Sequence, residues 1–126
     1  MRNKIIIFFS IWIFLEQACF AANTNFSYVN WNNLGLSPLQ RIKINASEAK
    51  WQRISCNLNF RIINNRNTLR FLLVNPYSKD EIIKKFQKKI LTDQMILNYQ
   101  AMEIFLKKRA ILTMDQKKIL HEMISR

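Results

Sequence analysis

Glycine and proline are almost missing from this 126-residue chain: Gly35 stands alone, and Pro38 and Pro76 are the only prolines. One glycine cannot build a phosphate-cradling loop, which excludes the common nucleotide-binding motifs. With breakers at so few positions, the sequence favours long helices over a sheet fold with its many turns. Histidine is as scarce. His121 is the only one, and no nucleophile or carboxylate is obviously paired with it, so the chain reads as a non-enzyme that needs no cofactor. His121, Cys56, Glu122 and the methionines are too few and too scattered to form a convincing metal-ligand set. Acid is the other shortage. Eight Asp and Glu stand against 20 Lys and Arg, a formal net charge of +12.

The one long apolar run lies at the N-terminus. Arg2 and Lys4 precede residues 5–15, which are apolar but for Ser10, and Cys19-Phe20-Ala21 follows. A basic start, a run too short to span a bilayer comfortably and small residues at −3 and −1 describe a signal peptide cleaved after Ala21. The expected location is therefore the periplasm. An uncleaved anchor and lipidation at Cys19 are the alternatives; Glu16-Gln17-Ala18 lacks the Leu usual before a lipidated Cys. Cleavage removes Arg2, Lys4 and Glu16, leaving 18 basic and 7 acidic residues and a net charge of +11. It also leaves Cys56 as the one cysteine. In an oxidising compartment such a residue is buried as a small hydrophobe or paired between chains. A chain this short buries a modest core, which makes a dimer a reasonable expectation.

What the chain does contain is a pattern that occurs twice. Leu36-Ser37-Pro38-Leu39-Gln40 and Leu112-Thr113-Met114-Asp115-Gln116 both read Leu, hydroxyl residue, two free positions, Gln. This is a helix-start device: the hydroxyl accepts from a first-turn N–H, and the Gln reaches back to the N-cap N–H. Pro38 falls where its missing N–H costs nothing. Ser78 with Glu81 makes a third such box.

The spacing predicts a helix from Pro38 to about Val74, a turn at Asn75-Pro76-Tyr77, a helix over 78–111 and a short helix from Thr113 to about Ile124. Five Asn within residues 57–67 allow a bend or break in the first helix. In that helix Leu39, Ile42, Ala46, Ala49, Cys56, Phe60 and Ile63 recur at core spacing, with a second apolar line through Trp51, Ile54, Leu58 and Ile62. In the next, Ile83, Phe86, Ile90, Leu97, Ala101 and Ile104 mark the core, and Leu91, Met95, Met102 and Leu106 form a second line. That second line reads either as core or dimer contact or as a surface for varied partners, a use to which Met is suited. Domain organisation follows: 1–21 signal peptide, 22–35 irregular arm, 36–126 helical domain. The fold class is all-α, an antiparallel helical hairpin with short flanking helices.

Basic residues cluster on these helices: Arg53, Arg61, Arg66 and Arg70 on the first, Lys84, Lys85, Lys88 and Lys89 on the second, and Lys107, Lys108 and Arg109 before the second motif. Any one of them is an ordinary solvated position. Together they exceed the available acids and create a field that attracts anionic partners. Nucleic acid is set aside because of the export signal; acidic protein segments, anionic lipid headgroups and unfolded chains remain.

The motif pair, its spacing and the signal peptide resemble the Spy/CpxP family of periplasmic proteins, marked by two LTxxQ motifs. The second motif matches closely; the first has Ser for Thr. The resemblance implies a cradle-shaped homodimer and an ATP-independent chaperone that binds unfolded clients during envelope stress. The expected client surface is Arg53, Arg61, Arg66, Lys84, Lys85, Lys88, Lys89, Leu91, Met95 and Met102. Leu36, Ser37, Gln40, Leu112, Thr113 and Gln116 are expected to cap and anchor helices. A CpxP-like regulator that dampens a sensor kinase through its periplasmic domain is the alternative, and a metal-responsive sensor or buffer the third.

Overall fold

The computed structural model describes residues 29–126; the expected signal peptide and residues 22–28 of the arm lie outside them. The described chain is all-α. A 3-10 turn at Trp31–Leu34 leads to α1 (Pro38–Val74), α2 (Asp80–Ile111) and α3 (Met114–Ser125). None of these helices is long and apolar enough to cross a membrane.

Each boundary has a local cause. Ser37 caps α1: its Oγ accepts from Gln40 N (3.2 Å), the Gln40 Oε1 accepts from Ser37 N (2.9 Å), and Pro38 sits in the first turn. The helix then runs 37 residues without a break, about 55 Å at 1.5 Å per residue. The asparagine-rich stretch does not bend it. Five Asn cost at most roughly 3 kcal/mol in propensity, while Leu58 and Ile62 within the same stretch are buried and return roughly 1.5–3 kcal/mol each. Pro76 ends α1 by forcing Asn75 out of the helical region, to φ −90°, ψ 115°.

The third capping box does not form. Ser78 N donates to Asn75 O (3.1 Å), closing a turn, and the first helical carbonyl is that of Lys79, which accepts from Ile82 N and Ile83 N. The turn after Pro76 consumes Ser78, so α2 begins later, Lys79 is an N-cap without a side-chain bond, and Ser78 Oγ is buried with no partner. Asp80 and Glu81 in the first turn complement the helix dipole instead.

The arm, expected to be irregular, folds from Asn30 on. Asn30 Oδ1 accepts from Asn32 N (3.1 Å), and the turn ends at Gly35 with φ 67°. A Cβ there would meet nothing within 4 Å, so glycine serves the left-handed backbone and not a close approach. The turn places Val29 and Leu34 in a cluster with Leu36, Ile44, Leu112 and Leu120, flanked by Trp31 and Phe105 in edge-to-face contact (5.9 Å, 62°).

The seam between α1 and α2 reverses one expectation. Leu39, Ile42 and Phe60 face outward, Ala46 and Ala49 are exposed, and Cys56 and Ile63 are half-buried. The second line supplies the core: Trp51, Leu58 and Ile62 are buried with Ile44 and Ser55. Ser55 is fully buried and donates to Gln52 O (3.2 Å), so its small side chain fits the seam without an unpaired hydroxyl. On α2 the expected line does face inward, with Ile90 and Ile104 buried and Ile83, Phe86, Leu97 and Ala101 half-buried. Contacts across the seam run in opposite order along the helices: Glu48 meets Lys108, and Arg61 meets Asp93.

Candidate functional site

The two motifs do more than cap. Thr113 Oγ1 accepts from Gln116 N (3.3 Å) and Gln116 Oε1 accepts from Thr113 N (2.9 Å), repeating the Ser37–Gln40 box. The two glutamines then meet across the fold, Gln40 Nε2 to Gln116 Oε1 at 2.9 Å and Gln116 Nε2 to Gln40 Oε1 at 3.1 Å. Each amide also donates to the carbonyl just before the other motif's leucine: Gln40 to Ile111 O and Gln116 to Gly35 O, both 3.1 Å. Leu36 and Leu112 are buried beneath. The motifs therefore form one near-symmetric clasp joining the start of α1 to the start of α3. A glutamate could cap as well, but only an amide also donates. The sequence reading assigned the capping and missed the cross-link; the repetition of Gln at one spacing was its signal.

Beside the clasp, Lys108 turns inward and is 5% exposed. Its ammonium pairs with Glu48 and lies 4.9 Å from the Trp31 ring centroid. Burial pushes its pKa down to about 8. This removes Lys108 from the exposed basic run expected before the second motif. Lys107 stays outside near Lys50, whose pKa is lowered by its contact with Lys107.

Toward the other end of the seam, an open groove of about 600 Å³ lies between α1 and α2. Phe60, Arg61, Asn64 and Asn65 line one side, and Lys85, Lys88, Lys89, Thr92 and Asp93 the other. Four expected partner residues converge here: Arg61, Lys85, Lys88 and Lys89. Lys89 Nζ stands 4.7 Å over the Phe86 ring. Arg61 departs from expectation in one respect, because it has an internal counter-ion. Its Nε donates to Asp93 Oδ2 (3.2 Å) and its Nη2 to Oδ1, and the carboxylate raises the Arg61 pKa. Asp93 is buried while the Arg61 side chain is more than half exposed, so the pair anchors one wall and leaves the lysines to set the groove's sign.

The other expected residues lie elsewhere. Leu91, Met95 and Met102 are exposed and continue through Leu106 as an apolar line along the outer face of α2. Lys84 and Lys88 fall on the same face by their spacing and extend the line toward the groove. Arg66 is exposed, and Arg53 lines a shallow notch on the outer face of α1 with Ala49, Gln52, Cys56 and Asn57. His121 is exposed near the end of α3. Among the described residues no three His, Cys, Asp or Glu side chains converge as a metal site. No family model, curated protein or solved structure matches this chain.

Proposed function

We propose that this chain is an ATP-independent periplasmic chaperone of the Spy/CpxP type, an antiparallel helical hairpin that pairs into a cradle-shaped dimer. The observation that carries this reading is the lysine-rich groove set beside exposed apolar side chains. Three lysines and the guanidinium of Arg61 edge a groove that includes Phe60, and the Leu91–Met95–Met102 line runs on from it. Charge acts at long range and gathers an acidic or unfolded segment from solution. The apolar contacts act only on touching. Their side chains are flexible and scattered along a helix, so they hold varied sequences weakly. A client held this way keeps the freedom to fold, and aggregation of its exposed apolar surface is suppressed.

The test is light scattering of a chemically denatured model client diluted into buffer with the purified protein and no ATP. Suppression near stoichiometric ratios, weakened by salt and by charge reversal of Lys84, Lys85, Lys88 and Lys89 together, is the expected result. No suppression at several-fold excess refutes the chaperone reading and favours a regulator that binds one sensor domain.

A further inference from the structure

The turn joining α1 to α2, at the opposite end of α1 from the clasp, is built unlike the rest of the surface. Phe71, Leu73, Val74 and Tyr77 are 61–91% exposed, and Ile82 is exposed beside them. At about 100° per residue Phe71 and Leu73 point to nearly opposite sides of α1, with Val74 between them. Tyr77 stands on the turn itself. A flat or grooved protein surface reaches one side of such a tip, whereas a fluid interface surrounds it. We propose that this tip docks the protein on a bilayer of anionic phospholipid, its apolar side chains among the headgroups and upper acyl chains. The inference goes beyond the chaperone reading and does not depend on it.

The backbone of the turn suits a region poor in water, where N–H groups must be paired within the protein. Asn75 N donates to Leu72 O (3.3 Å) and Ser78 N to Asn75 O (3.1 Å). Tyr77 N donates to Asn75 Oδ1 (3.0 Å). Pro76 has no N–H to satisfy. Every N–H from 75 to 78 is therefore absent or paired inside the turn. In water, solvent could serve these donors equally well; at an interface only the internal bonds do.

Charge selects the kind of bilayer. Residues 66–89 carry seven Lys and Arg against Asp80 and Glu81, a net +5. All seven are exposed, and neither ion pair among the described residues involves them. Asp80 and Glu81 stand four residues before Lys84 and Lys85, the spacing at which opposite charges offset each other on a helix. Arg66, Arg70, Lys79, Lys88 and Lys89 are then in excess. A cluster of cations beside exposed apolar side chains matches an anionic headgroup layer over acyl chains.

Depth is consistent with this layering. At 1.5 Å per residue Arg70 lies about 6 Å back from Val74, and Lys84 and Lys85 about 6–8 Å back from Asp80. One headgroup layer is about 5–7 Å thick. The cationic stems can therefore lie along the apolar side chains while their charges stay at phosphate level. None of the described helices is long and apolar enough to span a bilayer, so the contact is interfacial, and Tyr is among the residues such an interface favours. Lys88 and Lys89 also edge the groove; Arg70 and Lys79 do not, so these two separate membrane docking from client capture.

The experiment is co-sedimentation of the full chain with vesicles of phosphatidylcholine, alone or with about a third phosphatidylglycerol, at low and high salt. Binding to the anionic vesicles at least tenfold tighter than to the neutral ones, and weakened by salt, is expected. Phe71→Ser, Val74→Ser and Tyr77→Ser together should cut it at least tenfold, and Arg70→Gln with Lys79→Gln several-fold, while circular dichroism and melting stay unchanged. Tyr77→Trp, a larger aromatic of the same interfacial kind, should strengthen it. Residues 5–15 are apolar and present in every sample, so a local reporter separates them from the tip. In a Cys19→Ser, Cys56→Ser chain, an environment-sensitive dye on Tyr77→Cys should shift to the blue with anionic vesicles and be quenched by spin-labelled lipid. The same dye on His121→Cys should do neither. Equal binding to both vesicles, a triple Ser variant that binds like wild type, or a dye at 77 that stays in water would each overturn the proposal. So would a chain that binds no vesicles yet needs the three tip residues to suppress client aggregation, since the tip would then serve a protein partner.

Discussion

Gln116→Glu separates a clasp from a cap because the two roles give opposite signs. As the third residue of α3, a carboxylate keeps the bond from Thr113 N and gains from the helix dipole. If capping were the whole role of Gln116, the substitution would be neutral or stabilising by about 0.3–1 kcal/mol. In the clasp, Gln116 also donates to Gly35 O and Gln40 Oε1. A carboxylate cannot donate, so both bonds are lost, and its oxygens face two acceptors. Each lost bond costs roughly 0.5–1.5 kcal/mol, for a net loss of about 1–2 kcal/mol after the dipole gain. On a domain of this size that lowers the melting temperature by about 5–15 °C. Thermal unfolding by circular dichroism, at equal concentration and fixed salt, measures it. Gln40→Glu should behave alike, and the double variant should lose more than the two singles added, because each single keeps one of the two Gln40–Gln116 bonds whereas two carboxylates break both and face each other as like charges. A Gln116→Glu protein that melts at or above the wild-type temperature refutes the cross-link as a source of stability.

Three further outcomes follow from the seam and its turns. Glu48→Gln strands the buried Lys108 ammonium and should cost roughly 1–3 kcal/mol, whereas Lys108→Met keeps the stem over Trp31 and should be within about 1 kcal/mol of wild type; urea unfolding compares them. Burial pushes the Lys108 pKa down from its ordinary 10.5 to about 8, so its burial penalty is full below pH 8 and is relieved as pH rises toward 10. Unfolding free energy should climb by at most about 1.4 kcal/mol per pH unit in that window relative to Lys108→Met, and identical pH profiles for the two proteins would refute the assignment. Ser78→Ala removes a buried hydroxyl without a partner and should raise stability by about 1 kcal/mol, whereas a working N-cap would lose about as much.

Element boundaries were legible because they are written in local chemistry. Ser37-Pro38, Pro76 and Thr113 each act on their own backbone or on the residue beside it, and α1, the turn and α3 begin or end where they stand. Ser78 misled for the same reason that it attracted notice: it satisfies the capping pattern, but its N–H is already committed to the turn that Pro76 initiates. A local rule loses when a neighbouring local rule claims the same atoms.

Choosing the buried face of α1 is a different kind of question. The helix bears two apolar lines on nearly opposite sides with the same period, and periodicity cannot rank them. The heavier line, with Trp51, Leu58 and Ile62, goes to the seam; the lighter one, with Ala46, Ala49 and Cys56, is left outside. Lys108 shows the converse. Within Lys107-Lys108-Arg109 it looks solvated, yet it lies four residues beyond Ile104 and eighteen beyond Ile90, on the buried side of α2. Its register was in the sequence, but its counter-ion was not, since Glu48 lies sixty residues away and nothing short-range ties them. Registers are therefore readable one helix at a time, while pairings that cross the seam depend on how two helices slide. The clasp fixes that slide at the motif end, and Arg61 with Asp93 fixes it near the groove. Together they determine that the lysines at the start of α2 and Phe60 on α1 line the same groove.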